Sequence, residues 1–158
     1  MGSDRDADVM LEATRVLDEF HVPWEVHVIS AHRSPDRCRT FARGAAGRGT
    51  KVIIAGAGKA AHLAGVIASH TVLPVIGVPL DAGMNGMDAL LATVQMPRGV
   101  PVASMAVGGT GAANAALYAI GILALSDRAL ARKLEAFRKK QAATVSAKSK
   151  SVSRKLKG

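Results

Sequence analysis

Four short apolar runs, each ending at or beside Gly, Pro or Ser and each followed by a stretch of helical spacing, constrain this chain more than any other feature. WEVHVIS (24–30), KVIIAG (51–56), LPVIGVP (73–79) and PVASMAV (101–107) read as strands. Between them lie helices. Segment 5–20 sets Val9, Leu11, Ala13, Val16, Leu17 and Phe20 at helical spacing, and Pro35 suits the first turn of a helix running to about Gly47. Residues 60–70, 85–95, 111–126 and 128–143 read the same way. Strands apolar along their whole length that alternate with helices imply a parallel sheet covered on both faces. Four such units make an open doubly wound α/β sheet and fall well short of a (β/α)₈ barrel.

In such a sheet ligands bind beyond the carboxyl ends of the strands. The turns there are Ser30-Ala31-His32-Arg33, Ala55-Gly56-Ala57-Gly58-Lys59, Gly77-Val78-Pro79 and the glycines from Gly108 to Gly111. All four are expected on one edge. The first places a hydroxyl, an imidazole and a guanidinium at a helix N-terminus, where backbone N–H groups and the dipole favour an anion such as phosphate. His32 carries protons near neutral pH, and Arg33 suits bidentate contact with phosphate oxygens. Ser30 and Ser34 are equally compatible with simple capping. The glycines of AGAGKAAHL (55–63) admit a ligand to the backbone or merely a tight turn, and His62 fits either a pocket or the inner face of a helix. A dinucleotide fingerprint fails because position 61 is Ala, and neither GxxxxGK[ST] nor GxSxG occurs. No His or carboxylate spacing suggests a metal site.

Composition narrows the class further. With 158 residues, 49% hydrophobic and 21% charged, the chain has enough apolar residues for one real core. No apolar run is long enough to cross a bilayer and the N-terminus lacks a signal-peptide pattern, so a cytoplasmic protein without a membrane partner is expected. Cys38 is the single cysteine, which rules out an internal disulfide and any Cys cluster. The formal net charge of +9 belongs to the C-terminus: from Arg128 on there are 11 Lys and Arg against Glu135, whereas residues 1–127 sum to −1. Residues 1–143 therefore read as one α/β domain, and 144–158, rich in Ser and Lys, as a solvated tail. Nucleic-acid contact would fall to that tail, though the few aromatics are not interleaved with its cations.

GSDRD (2–6), SAHRSPDR (30–37), VIIAGAGKAAHL (52–63), LPVIGVP (73–79), VQMPRGVPVA (94–103) and GAANAAL (111–117) together resemble the class I N5-carboxyaminoimidazole ribonucleotide mutase family of purine biosynthesis, in order and in register from Gly2 to about Lys140. The resemblance implies a flavodoxin-like three-layer α/β/α sandwich with a parallel sheet, assembled as a homo-octamer. It implies an isomerase without metal or organic cofactor, whose small-molecule ribonucleotide substrate moves its carboxylate from the exocyclic nitrogen to C4 of the imidazole. Carried over by motif, His32 is the proton shuttle. Ser3 and Asp6 hold the ribose phosphate and hydroxyl region, Ser30 and Arg33 grip phosphate, and Gly58, His62 and Leu63 line the pocket around the imidazole.

The chain departs from that pattern at several places. The family's first apolar strand, which lies inside the sheet, is not among these residues, so a gap is expected there. Arg5 stands for the usual Ser, Lys59 for Gly and Ala64 for Pro, and loop 80–86 is one residue short. Two readings stand beside the mutase: the related carboxylase that uses CO₂, against which the glycine-rich AAHL turn argues, and a non-catalytic paralogue that binds the ligand.

Overall fold

Two of the apolar runs pair in parallel over their whole length. In the computed structural model, which describes residues 1–157, β1 (Ile53–Gly58) runs beside β2 (Val75–Leu80), with Ile53 opposite Val75 and Gly58 opposite Leu80. A short β3 (Ala103–Ser104) pairs with Ile76 and Gly77, giving the order β1-β2-β3. All six residues of the central β2 are buried, as expected for a strand covered on both faces. The fourth run differs from expectation. Residues 101–107 form a ladder at two positions only, after which Met105 N–H and Gly108 N–H donate to Gly77 and Pro79 carbonyls and carry the chain along β2.

Helices α1 (Ala7–Glu19) and α2 (Pro35–Gly44) precede β1, α3 (Leu63–Ala68) joins β1 to β2 and α4 (Met87–Val94) joins β2 to β3. They cover both faces. A Cβ placed on Gly56 would collide with Met10 of α1, whereas one on Gly77 would collide with Thr93 of α4 and sit 3.3 Å from Ala64 of α3. Because Gly56 and Gly77 occupy adjacent register pairs, their side-chain directions are opposite. On the α3 side Ile53, Ala55 and Val75 pack with Cys38 and Ala42 of α2 and with Leu63, Ala64 and Ile67 of α3. Burial in this core pushes the Cys38 thiol up.

The run 24–30 is extended but is not a strand of the sheet, contrary to its alternating pattern. Among the described residues its backbone bonds only Met1 and, at Ser30, the turn that follows it, and Trp24, Val26 and Val28 are roughly half exposed. Pattern specifies which face a strand buries, but a ladder needs a neighbour to bond.

Met1–Ala119 form one compact unit and the chain from Ile120 on a second. Helix α5 (Gly109–Ala124) begins in the first and α6 (Arg128–Lys157) lies in the second. Asp127 caps α6 by accepting from the N–H groups of Ala129 and Leu130. The helix expected over 128–143 continues through the stretch read as a tail. No helix among the described residues is long and apolar enough to cross a membrane.

Helix α5 starts where the chain folds tightly on itself: a Cβ at Gly111 would overlap the carbonyl of Ala106. Alanine normally stabilises a helix relative to glycine by about 1 kcal/mol. Gly111→Ala is expected to do the opposite and destabilise the chain by about 3 kcal/mol, read as a lower urea midpoint.

Candidate active site

The first two residues bring the candidate site together. The Met1 ammonium donates to the His27 carbonyl (2.8 Å), Ile29 N–H donates to the Met1 carbonyl (2.9 Å) and Gly2 N–H donates to the Gly56 carbonyl (3.0 Å). Met1 and Gly2 thus sit between segment 27–29 and the end of β1. Burial holds the ammonium below its ordinary pKa, opposed by the nearby Asp6 carboxylate. The turn that follows, Ser3–Asp6, lies against the end of β1.

That turn is closed by its own side chains. Ser3 Oγ accepts from Arg5 N–H (3.3 Å) and donates to Asp4 Oδ1 (2.9 Å), while Asp6 Oδ2 accepts from Ser3 N–H (2.8 Å), a reciprocal cap. Asp6 is half-buried, and the desolvation raises its carboxyl pKa more than the Ser3 and Gly2 amides and the Met1 ammonium lower it.

The next turn is wound just as tightly. Ser30 Oγ accepts from Arg33 N–H (3.1 Å), and Ser34 Oγ donates to the Ser30 carbonyl (2.9 Å). Ser34 occupies the N-cap position of α2 yet makes no cap bond with its side chain, so simple capping does not describe it. The leading N–H groups of α2 after Pro35 are left for another acceptor. Arg33 is exposed and, among the described residues, no carboxylate pairs with it. Lys59 is likewise exposed with no carboxylate at ion-pair distance, whereas Arg5 is exposed beside Asp4, whose charge it favours.

His32 and His62 meet across two turns. His32 Nε2 lies 2.8 Å from His62 Nδ1, with the rings nearly perpendicular at 87°. One nitrogen donates and the other accepts, so a single proton serves the contact. His62 is exposed, which resolves the alternatives left by periodicity: it precedes the first turn of α3 and does not lie on that helix's inner face. Lys59, three residues earlier, takes a left-handed conformation (φ 54°) to make this turn.

Two residues expected to line the pocket have other work. Leu63 is 3% exposed and its side chain belongs to the core with Ile29 and Cys38, so only its backbone remains for a ligand. The reason is helical phase: as the first residue of α3 it faces the sheet. At Gly58 a Cβ would lie 2.8 Å from Ala82 Cβ, so this glycine lets the loop after β2 approach. That loop carries Asp81, which sequence reasoning did not single out and whose carboxylate accepts from Gly83 N–H (3.1 Å). Its only signal was its place just past the end of β2. Among the described residues no group of three His, Cys, Asp or Glu is arranged to hold a metal.

Comparison with known proteins bears on this edge directly. The sequence profile of the AIR carboxylase family matches residues 1–144. The chain belongs to the AIR carboxylase family. Among family members, the N5-carboxyaminoimidazole ribonucleotide mutase of Haemophilus influenzae is 54% identical over 142 residues, covering 89% of this chain and 87% of that one. The mutase of Bacillus subtilis is 53% identical, covering 92% and 90%, and that of Mycobacterium tuberculosis 50% identical, covering 98% and 88%. The crystal structure of Treponema denticola PurE superposes with a TM-score of 0.83 at 22% identity, covering 92% of this chain and 90% of that one, and establishes the shared α/β fold.

Asp6 yields a test of the site's electrostatics. Its raised carboxyl pKa means the folded chain holds that proton more tightly than the unfolded chain. The stability this confers is complete in acid and is lost as pH rises through the folded value. Asp6→Asn keeps an acceptor for the Ser3 amide and removes the buried charge. The variant is expected to resist urea better than the parent at pH 7, with the advantage closing below about pH 4, where Asp6 is protonated in both states.

Proposed function

We infer that this chain is an N5-carboxyaminoimidazole ribonucleotide mutase acting in cytoplasmic purine biosynthesis, with its active site built around the contact between the 30–34 and 58–62 turns and taking in the 3–6 turn. Identity of about half with mutases over most of both chains supports the reaction. The observation that carries the site is the His32–His62 contact beside an unpaired Arg33.

The reaction needs few groups. Protonation of the carbamate nitrogen releases CO₂ and leaves an electron-rich aminoimidazole. C4 of that ring then attacks the CO₂ before it escapes, and the C4 proton must leave to restore aromaticity. His32 gives the first proton and takes the last. His62, bonded to Nε2 of His32, holds that ring in place and shares its proton, so the pair is restored after each turnover. Arg33, Ser30 and the leading amides of α2 bind the phosphate, with Ser3 and Asp6 at the ribose. Gly58 and the backbone of Leu63 border the imidazole. No step calls for a metal or organic cofactor.

The exposed apolar face of α4 supports self-association. Met87, Leu91 and Val94 recur at helical spacing and are 49–51% exposed, and Met84 beside them is 76% exposed. This suits the homo-octamer that the resemblance implies.

The test supplies 4-carboxy-5-aminoimidazole ribotide and follows the N5-carboxylated isomer in labelled bicarbonate. The mutase is expected to form the isomer without taking up label, whereas uptake would mark the carboxylase. His32→Asn is expected to lose roughly 10²- to 10⁴-fold in turnover while still binding the ribotide. Full activity in that variant would remove His32 from the mechanism.

A further inference from the structure

From Arg138 to Lys157 every residue of α6 is exposed. This stretch carries eight Lys and Arg and no acid. Its Ala, Lys, Arg and Gln favour a helix locally. A free helix of about 20 residues is marginal in water, and like charges such as Lys150 and Arg154, one turn apart, oppose it. The arrangement is nevertheless two-sided. Val145, Val152 and Leu156 fall within about 40° of one another around the helix axis. They are 67%, 55% and 82% exposed and form the floor of a shallow trough, with Lys148 and Lys157 on its walls. Arg154, Lys140 and Lys150 occupy the opposite side of the helix.

Any partner has to satisfy both features. A nucleic acid would neutralise the cations and leave the three apolar side chains in water. A second copy of the helix would bury the apolar side chains and set like charges against each other. The interface of an anionic bilayer accepts both: it takes the apolar stripe at acyl depth, while lysines beside the stripe lay their stems along it and reach the headgroups.

We propose that the C-terminal half of α6 is a peripheral membrane-docking helix, which lays the Val145–Val152–Leu156 stripe into the interface of a bilayer rich in anionic phospholipid. Read linearly, residues 144–158 hold no apolar run, and for that reason no membrane partner is expected from sequence. Only the helix aligns the three residues.

The full chain is sedimented with vesicles of phosphatidylcholine containing about 30% phosphatidylserine, and with phosphatidylcholine alone, at about 150 mM salt. Binding is expected to the anionic vesicles only. The triple variant V145A/V152A/L156A is the decisive comparison, because alanine favours the helix while removing the stripe. It is expected to bind about tenfold more weakly with unchanged mutase turnover, and K148Q/K155Q/K157Q is expected to weaken by a similar factor. Equal retention on both vesicles, no retention on either, or full anionic binding by the alanine variant would each overturn the proposal. So would tighter binding of a single-stranded oligonucleotide that the alanine variant retains, which would make the helix a general polyanion binder.

Discussion

Three backbone hydrogen bonds at Met1 and Gly2 decide where the chemistry of this molecule can be. They tie segment 27–29 to the end of β1 through two residues that belong to neither. With those bonds in place the Ser3–Asp6 turn is held against the end of β1. The energetic side of the arrangement is a cationic terminus and a carboxylate both taken partly out of water, each perturbed by burial and each favoured by the other. A site that gathers desolvated charge at strand ends is poised for an ionic ligand, and it relies on its scaffold to hold that charge there.

Much of this was legible in the sequence, for definite reasons. The runs that became β1 and β2 are apolar throughout because helices cover both of their faces, and composition records that directly. The helix starting at Pro35 was announced by proline chemistry alone. His32 and Arg33 stood out as a polar cluster after an apolar run, although that run joins no sheet.

The parts that were not legible depend on neighbours. Segment 24–30 has the alternation of a strand, yet alternation says nothing about what backbone stands beside it, and here no strand does. His62 was ambiguous because the helix was expected from residue 60; once α3 starts at Leu63, the imidazole is outside the helix and the leucine inside the core. The C-terminal stretch looked unstructured because three apolar residues among Ser and Lys are too sparse to register as a pattern. In the helix they align, and sparse becomes contiguous.

The imidazole contact carries an implication for how such a site can change over time. His32 and His62 are 30 positions apart and each sits on a turn only a few residues long, with 2.8 Å between the nitrogens. One residue inserted into either turn would displace a ring by a full Cα step of about 3.8 Å and break the bond outright. A substitution such as Lys59 for glycine leaves the spacing intact. The contact therefore constrains the length of these two turns more tightly than their composition.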